Sequence, residues 1–229
     1  MKIERVSFKK IKNIDLYNLL NKKKIIIVDN CFSYQILLKA RNEIINFFKF
    51  KEFRFNVSRN KKIYHRWDYN PKKAKFKRIM QSITFSLKDK KYFKNCISIL
   101  NKGVVLKKNF IKNSLKNLKK NRIKKFIFAP RASFYPCGGG YYQMHSDDWS
   151  GEKILDLIPL SVKGDDYLKG GFVVEYKRKK INLDDYIFPG SIILLDSKIK
   201  HGVSKIDPKV KKRKNIGRYS LLSVMEFKN

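Results

Sequence analysis

With 229 residues, the chain is long enough to bury a full hydrophobic core as one large domain or two small ones. Its formal charge of +35 points toward nucleic acid or an anionic membrane surface, but the lysines are spread over the whole chain and form no tail or single amphipathic stripe. Three cysteines, Cys31, Cys96 and Cys137, contain no Cys-x-x-Cys pair, and no run nears the ~18 apolar residues of a membrane span, so neither a disulfide framework nor a zinc ribbon is indicated and a soluble cytoplasmic protein without a membrane span is expected.

Residues 1–22 alternate short apolar and basic pieces and predict no element. Lys24–Asp29 is a β-branched run closed by Asn30, which reads as a buried strand and a turn. Ser33 then suits the N-cap of a helix through about Phe50, because Ile36, Leu37, Ala40, Ile44, Phe47 and Phe48 recur at helical spacing. Phe53–Pro71 lacks a clean period and predicts an extended loop with short strands. Its aromatic cluster Tyr64–Tyr69, with His65, either covers a substrate or packs on the surface. Lys72 to about Leu118 predicts helices, with Gly103 as the break between two of them.

From Lys125 the pattern changes to short apolar or alternating runs: Phe126–Ala129, Ala132–Tyr135, Tyr141–Asp147, Ile154–Val162, Phe172–Tyr176, Ser191–Asp196 and Arg218–Phe227. Glycine and proline turns separate them. Many short strands with such punctuation predict an antiparallel sandwich or barrel of the jelly-roll type. The expected organisation is a single α+β domain over residues 1–229, with an N-terminal strand and helices in 1–122 and the jelly-roll core in 123–229.

Chemistry concentrates in Tyr135–Asp147, which ends in His-x-Asp. On a strand, residues two apart share a face, so His145 and Asp147 can reach one point in space. His201 follows the apolar run Ile192–Leu195 and is the natural third ligand, the other histidine being His65. Two imidazoles and one carboxylate on one face of a metal suit non-haem Fe(II) that must also bind a cosubstrate and dioxygen. A zinc hydrolase also uses such a set, but its helical His-Glu-x-x-His signature is absent.

The last strand adds an independent clue. Arg218 lies among apolar residues with Ser220 on the same face, and a buried guanidinium requires an anion that its planar fork can grip. Arg213 is the rival cation, set in a Lys-rich run without an apolar strand around it. Arg131, Gln143, Tyr142 and Trp149 flank the motif as substrate-side candidates, and Cys137 in the glycine loop reads as a small buried filler or a neighbour of the site.

These residues resemble the Fe(II)- and 2-oxoglutarate-dependent dioxygenases, most closely the prolyl-hydroxylase-like branch, over roughly Phe126–Phe227. The pattern of His-x-Asp, a distal His and a basic residue on the final strand falls on His145, Asp147, His201 and Arg218. Tyr-Pro followed by glycines ahead of the first ligand is similar as well, and implies that Tyr135 hydrogen-bonds the cosubstrate, with Ser220 beside Arg218 as a second donor. The basic residue lies later after the distal histidine than in the family, a difference that a longer polar hairpin, Lys205–Asn215, accommodates.

The resemblance implies a double-stranded β-helix with the N-terminal helical region packed on it, Fe(II), 2-oxoglutarate and O2, and ascorbate as reductant. It further implies hydroxylation of an unactivated C–H of a protein residue, peptide or small molecule, with release of succinate and CO2. A non-catalytic basic jelly-roll module that binds nucleic acid or acidic partners is the competing expectation. A codon bias toward A and T, which would also enrich Ile, Asn, Phe and Tyr, is the competing explanation of the charge.

Overall fold

The computed structural model describes residues 3–50, 64–70, 72, 74–88, 90–117, 126–147, 153–211 and 215–227. The chain opens with β1 (Glu4–Ser7), α1 (Phe8–Ile11), α2 (Leu16–Lys23), β2 (Ile25–Asp29) and α3 (Tyr34–Phe50). It continues through β3 (Tyr64–Tyr69), β4 (Arg78–Thr84) and α4 (Lys90–Asn117). The remainder is β5 (Phe126–Pro136), β6 (Gly140–His145), β7 (Ile154–Pro159), β8 (Gly171–Tyr176), β9 (Lys179–Asn182), β10 (Ile192–Asp196), β11 (Lys200–Ile206) and β12 (Gly217–Phe227).

All strands belong to one curled sheet in the order β1-β2-β10-β7-β12-β5-β4-β6-β11-β8-β9, with β3 paired to β4. Every pairing is antiparallel except β1 with β2. This is the expected jelly roll. Strands β2, β7 and β10 read as near-continuous apolar runs because both of their faces are covered. In β10, Ile192 and Leu194 join the core against the helices, while Ile193 and Leu195 join the core inside the barrel. Each such buried side chain contributes about 1.5–3 kcal/mol relative to exposure.

The strand over Ile25–Asp29 and the helix starting directly after Ser33 match expectation. Residues 3–22 carry more secondary structure than their composition suggests. Asp15 caps α2 by accepting the Asn18 N–H at 3.0 Å, and β1 adds to the sheet beside β2.

Other features differ from the sequence reading. Residues Arg78–Thr84 form a strand between β5 and β6, where a helical pattern was expected. The two runs around Pro130 are one long strand, β5. Gly103 does not break α4: the helix passes through it, and the non-helical residue is Phe93. Gly103 is needed because α4 rests there on the sheet, and a Cβ would run into the Asp156 carboxylate.

Candidate metal centre

The glycine turn between β5 and β6 sets the site. A Cβ on Gly140 would stand 2.5 Å from the Pro136 nitrogen, so only glycine permits so close a return. The turn places Tyr135 at the end of β5 and His145 at the end of β6. Across the barrel wall β11 runs antiparallel to β6 and pairs His201 directly with His145. The two rings lie 4.5 Å apart.

Asp147 sits just beyond the end of β6, held by its N–H donating to Ser197 O at 3.0 Å. Its carboxylate oxygens approach His145 Nε2 at 3.6 Å and His201 Nε2 at 3.3 Å. The three donor atoms all lie within 4.8 Å of one another. The sequence reading placed all three together, and the fold does so.

Tautomers follow from the hydrogen bonds. His145 Nδ1 lies 2.9 Å from Gln143 O, and His201 Nδ1 lies 2.9 Å from Ile199 O. A carbonyl only accepts, so each Nδ1 is the protonated nitrogen and each Nε2 turns a lone pair toward Asp147. Burial, reinforced by His201, lowers the His145 pKa and keeps its imidazole neutral. Burial alone would raise the Asp147 carboxyl, but the two imidazoles and the nearby Arg131 guanidinium outweigh it and hold the group below its ordinary value. Two ring nitrogens and a carboxylate oxygen converging on one point are a donor set that can hold a cation. Two donors bound at right angles to one ion stand about 3 Å apart, so the arrangement fits a divalent metal.

The site opens on a cavity of about 500 Å³, within the usual range for small-molecule sites. Leu155, Leu157, Phe172, Val203 and Leu222 form its apolar wall. Tyr142 stacks on His145 at 4.3 Å and also lines it. A regular strand would send residues three apart to opposite faces. An irregularity in the β6–β11 register, where His201 pairs with His145 but Val203 with Tyr142, brings both rings to one face.

At the closed end, Arg218 on β12 pairs in register with Tyr135 on β5, and both line the cavity. Burial pushes the Tyr135 hydroxyl up to about 12 against the opposing charge of Arg218, so it remains a donor at neutral pH. Arg218 is only 1 % exposed. Its expected anion is already partly supplied by the protein: Asp184 accepts from Nε at 2.7 Å and from Nη2 at 3.1 Å. Tyr167 donates to the same carboxylate at 2.5 Å, and the Phe172 N–H at 2.9 Å.

Asp184 was not singled out in the sequence, since Asn182-Leu183-Asp184-Asp185 reads as an ordinary polar turn. Next to this pair, the buried Arg218 Nη1 and Ser220 Oγ have no hydrogen-bond partner among the described residues. The space next to them therefore lacks an acceptor, which fits a carboxylate ligand. Ser133, opposite Ser220, lines the cavity, and Ser220 is fully buried between Arg218 and Leu222, which share its face of β12 and both line the cavity.

Of the other candidates, Arg131 lines the cavity. Gln143 turns away and accepts the Lys77 N–H at 2.9 Å. Cys137 is a buried thiol facing Asp207 at 3.3 Å, a structural role away from the metal ligands. Trp149, Arg213 and the side chain of His65 lie outside the described residues.

No protein-family model matches the sequence, and no curated protein matches it. Solved structures do. A prolyl-4-hydroxylase from Pseudomonas putida superposes with a TM-score of 0.63 at 12 % identity, over 96 % of this chain and 100 % of that one. A prolyl hydroxylase from Trichoplax adhaerens, in complex with a peptide fragment of the hypoxia inducible factor oxygen degradation domain, superposes with a TM-score of 0.54 at 15 % identity, over 94 % and 90 % of the two chains. At these identities the likeness establishes a shared fold along nearly the whole chain.

Proposed function

We propose that this chain is a Fe(II)- and 2-oxoglutarate-dependent dioxygenase that hydroxylates an unactivated C–H bond of a protein residue, peptide or small molecule. One observation carries the reading. A single cavity holds a converging His145, Asp147 and His201 at one wall and the partnerless Arg218 Nη1 at another, the two requirements of a metal and a bridging diacid.

In this reading His145 Nε2, His201 Nε2 and one Asp147 oxygen hold the iron. Arg218 Nη1, Tyr135 Oη and Ser220 Oγ donate to the distal carboxylate of 2-oxoglutarate. Bound Fe(II) supplies the activation of O2 that couples conversion of 2-oxoglutarate to succinate and CO2 with oxygen insertion into the substrate. The backbone carbonyls of Gln143 and Ile199 fix the two imidazoles in the tautomer that ligation requires. The apolar wall excludes water, which strengthens the polar contacts within. The Trichoplax neighbour's bound peptide supports a polypeptide as one candidate substrate.

Ascorbate is proposed as the reductant that keeps the iron ferrous. A cytoplasmic setting is supported by three buried thiols that are all free. No described helix is long and apolar enough to cross a membrane. Residues 1–122 and 123–229 are proposed to form one domain, since β2 pairs with β10 and β4 lies between β5 and β6.

Incubation with Fe(II), ascorbate and 2-oxoglutarate, with succinate as the readout, tests the assignment. Slow succinate release is expected without any added substrate. His145→Ala and Asp147→Ala are expected to abolish it and to weaken Fe(II) binding by about 10- to 100-fold or more, at least the loss usual for disturbed metal sites. Unchanged Fe(II) affinity in both variants would sink the proposal. Absence of succinate together with tight, salt-dependent binding of RNA or DNA would favour the basic binding module instead.

A further inference from the structure

The charges around the cavity are not all accounted for by metal and cosubstrate. Four cationic side chains line it: Lys75, Arg78, Arg131 and Arg218. Asp68 meets Arg78 at 2.7 Å, and Asp184 meets Arg218 at 2.7 Å. The Arg131 guanidinium has no hydrogen bond or ion pair to any described residue. The only lining carboxylate among the described residues is Asp147, which belongs to the metal.

Resting on the oxygenase reading, we propose that Arg131 is the specificity-determining residue of the site and grips a carboxylate carried by the substrate. Arg131, Ser133 and Tyr135 alternate along β5, and all three face the cavity. Tyr135 stands opposite Arg218, whereas Arg131 stands opposite Leu222. Four residues of strand separate Arg131 from Tyr135, roughly 13 Å. The two guanidiniums thus mark opposite ends of one wall. Arg218 lies at the sealed end and Arg131 at the half-buried end.

A diacid anchored at the metal and at Arg218 leaves Arg131 free for a second ligand. It lines the same space as His145, Asp147 and His201. An inward guanidinium beside Leu222 is a poor choice for packing alone, since an apolar side chain would fill that position better. A planar carboxylate suits it, because the guanidinium fork binds both oxygens and one negative charge cancels one positive charge. A phosphate dianion would need a second cation beside Arg131, and the remaining lining cation, Lys75, lies over the Phe76 ring at 5.5 Å. The class of substrate is therefore a small acid, such as a free amino acid or a peptide with its C-terminal carboxylate.

Calorimetric titration of the full chain tests this, once metal-free and once loaded anaerobically with Fe(II) and 2-oxoglutarate. The probes are free L-amino acids and dipeptides, each paired with its carboxamide, together with O-phosphorylated counterparts. At least one acid is expected to bind the loaded protein about ten-fold or more tightly than its amide, the discrimination expected when a buried polar group loses its partner. Arg131→Met is expected to erase that preference while leaving 2-oxoglutarate affinity within about two-fold and the thermal midpoint unchanged, and Arg131→Lys to restore part of it.

Equal binding of acids and amides across the panel overturns the assignment. So does a ten-fold loss of 2-oxoglutarate affinity in Arg131→Met, which would give the residue to the cosubstrate, or a preference of Arg131 for the phosphorylated probes. Failure of wild type to bind Fe(II) and 2-oxoglutarate overturns the oxygenase reading. The acid–amide comparison in the metal-free protein then still decides for or against Arg131.

Discussion

A guanidinium carries five N–H donors and no acceptor, so burying one commits the fold to supplying acceptors on all sides. At Arg218 the protein supplies two through Asp184 and leaves Nη1 for a ligand. Asp184 thereby does two things: it offsets the cost of the buried cation and fixes which edge of the fork faces the cavity. Removing one member of a buried pair typically costs about 3–5 kcal/mol, because the other is left unpaired in a low dielectric.

Asp184→Ala is therefore expected to lose about that much in urea denaturation, and to weaken 2-oxoglutarate binding in titration even though Asp184 does not reach the ligand. Loss of less than about 1 kcal/mol would contradict the pairing. The pH dependence has a definite sign. Burial raises the Asp184 carboxyl, but the charge and hydrogen bonds of Arg218 more than offset this, so its folded pKa lies below the unfolded value. Its contribution is complete above about pH 4 and is lost as pH falls through the lower folded value. Stability of wild type should thus fall more steeply in acid than that of Asp184→Ala. His145, Asp147 and Arg218 were legible in the sequence because strand alternation and the cost of a lone buried charge are local arguments. Asp184 was not, since its partner lies 34 positions away and only the tertiary fold brings them together.

Among the elements, α4 shows how a local rule yields to packing. Gly103 costs a helix about 1 kcal/mol relative to alanine, so propensity alone favours Gly103→Ala. The structure reverses the sign. Beneath Gly103 lies a fully buried ion pair, Lys107 with Asp156 at 3.0 Å. Asp156 also accepts the Ser223 N–H at 3.0 Å and the Ser223 hydroxyl at 2.5 Å, while Lys107 donates to Ser223 O at 2.5 Å. The register of β7 with β12 covers Leu221–Ile158 and Ser220–Pro159, so these side chains satisfy the Ser223 backbone where that ladder has ended.

A methyl group at position 103 would meet the Asp156 carboxylate directly. Overpacking costs about 1–3 kcal/mol and here also disturbs the pair, so it outweighs the propensity gain. Gly103→Ala is expected to lower the midpoint of chemical denaturation, and an increase would refute the packing account. Lys107→Met should cost more, about 3–5 kcal/mol, by stranding Asp156. The helix break read at Gly103 and the missed strand β4 share one cause. Both treat composition as local, whereas close approach in the first case and strand pairing in the second decided the structure. The β runs after residue 125 were more legible, because turn residues punctuate them and each strand is short.

For the whole molecule, a charge of +35 predicts self-repulsion that salt relieves. The Debye length shrinks from about 30 Å at 0.01 M to about 8 Å at 0.15 M salt, so the thermal midpoint should rise across that range. A midpoint that falls would mean that paired surface charges outweigh the excess. A stronger claim concerns how much of the chain the barrel needs. The N-terminal region was expected to pack on the core, and it does more than that. Strand β2 extends the sheet by pairing Ile25–Val28 with Ile192–Leu195, and Ile26 and Val28 join the core shared with the helices. The Arg5 guanidinium binds Asp29, and Lys24 binds Asp196 at 2.9 Å across the same edge. Deleting residues 1–30 would expose a flat apolar edge on β10, a surface prone to pairing with other chains. It would also strip the helical core of Ile11, Leu16 and Leu20, all fully or nearly fully buried. The truncated chain is therefore expected to aggregate, whereas the full chain is expected to unfold in one transition with coincident fluorescence and circular dichroism. A soluble truncation that still bound Fe(II) and 2-oxoglutarate with full-chain affinity would mean that the site stands on the C-terminal strands alone. It would also mean that β2 adds an edge the barrel can do without.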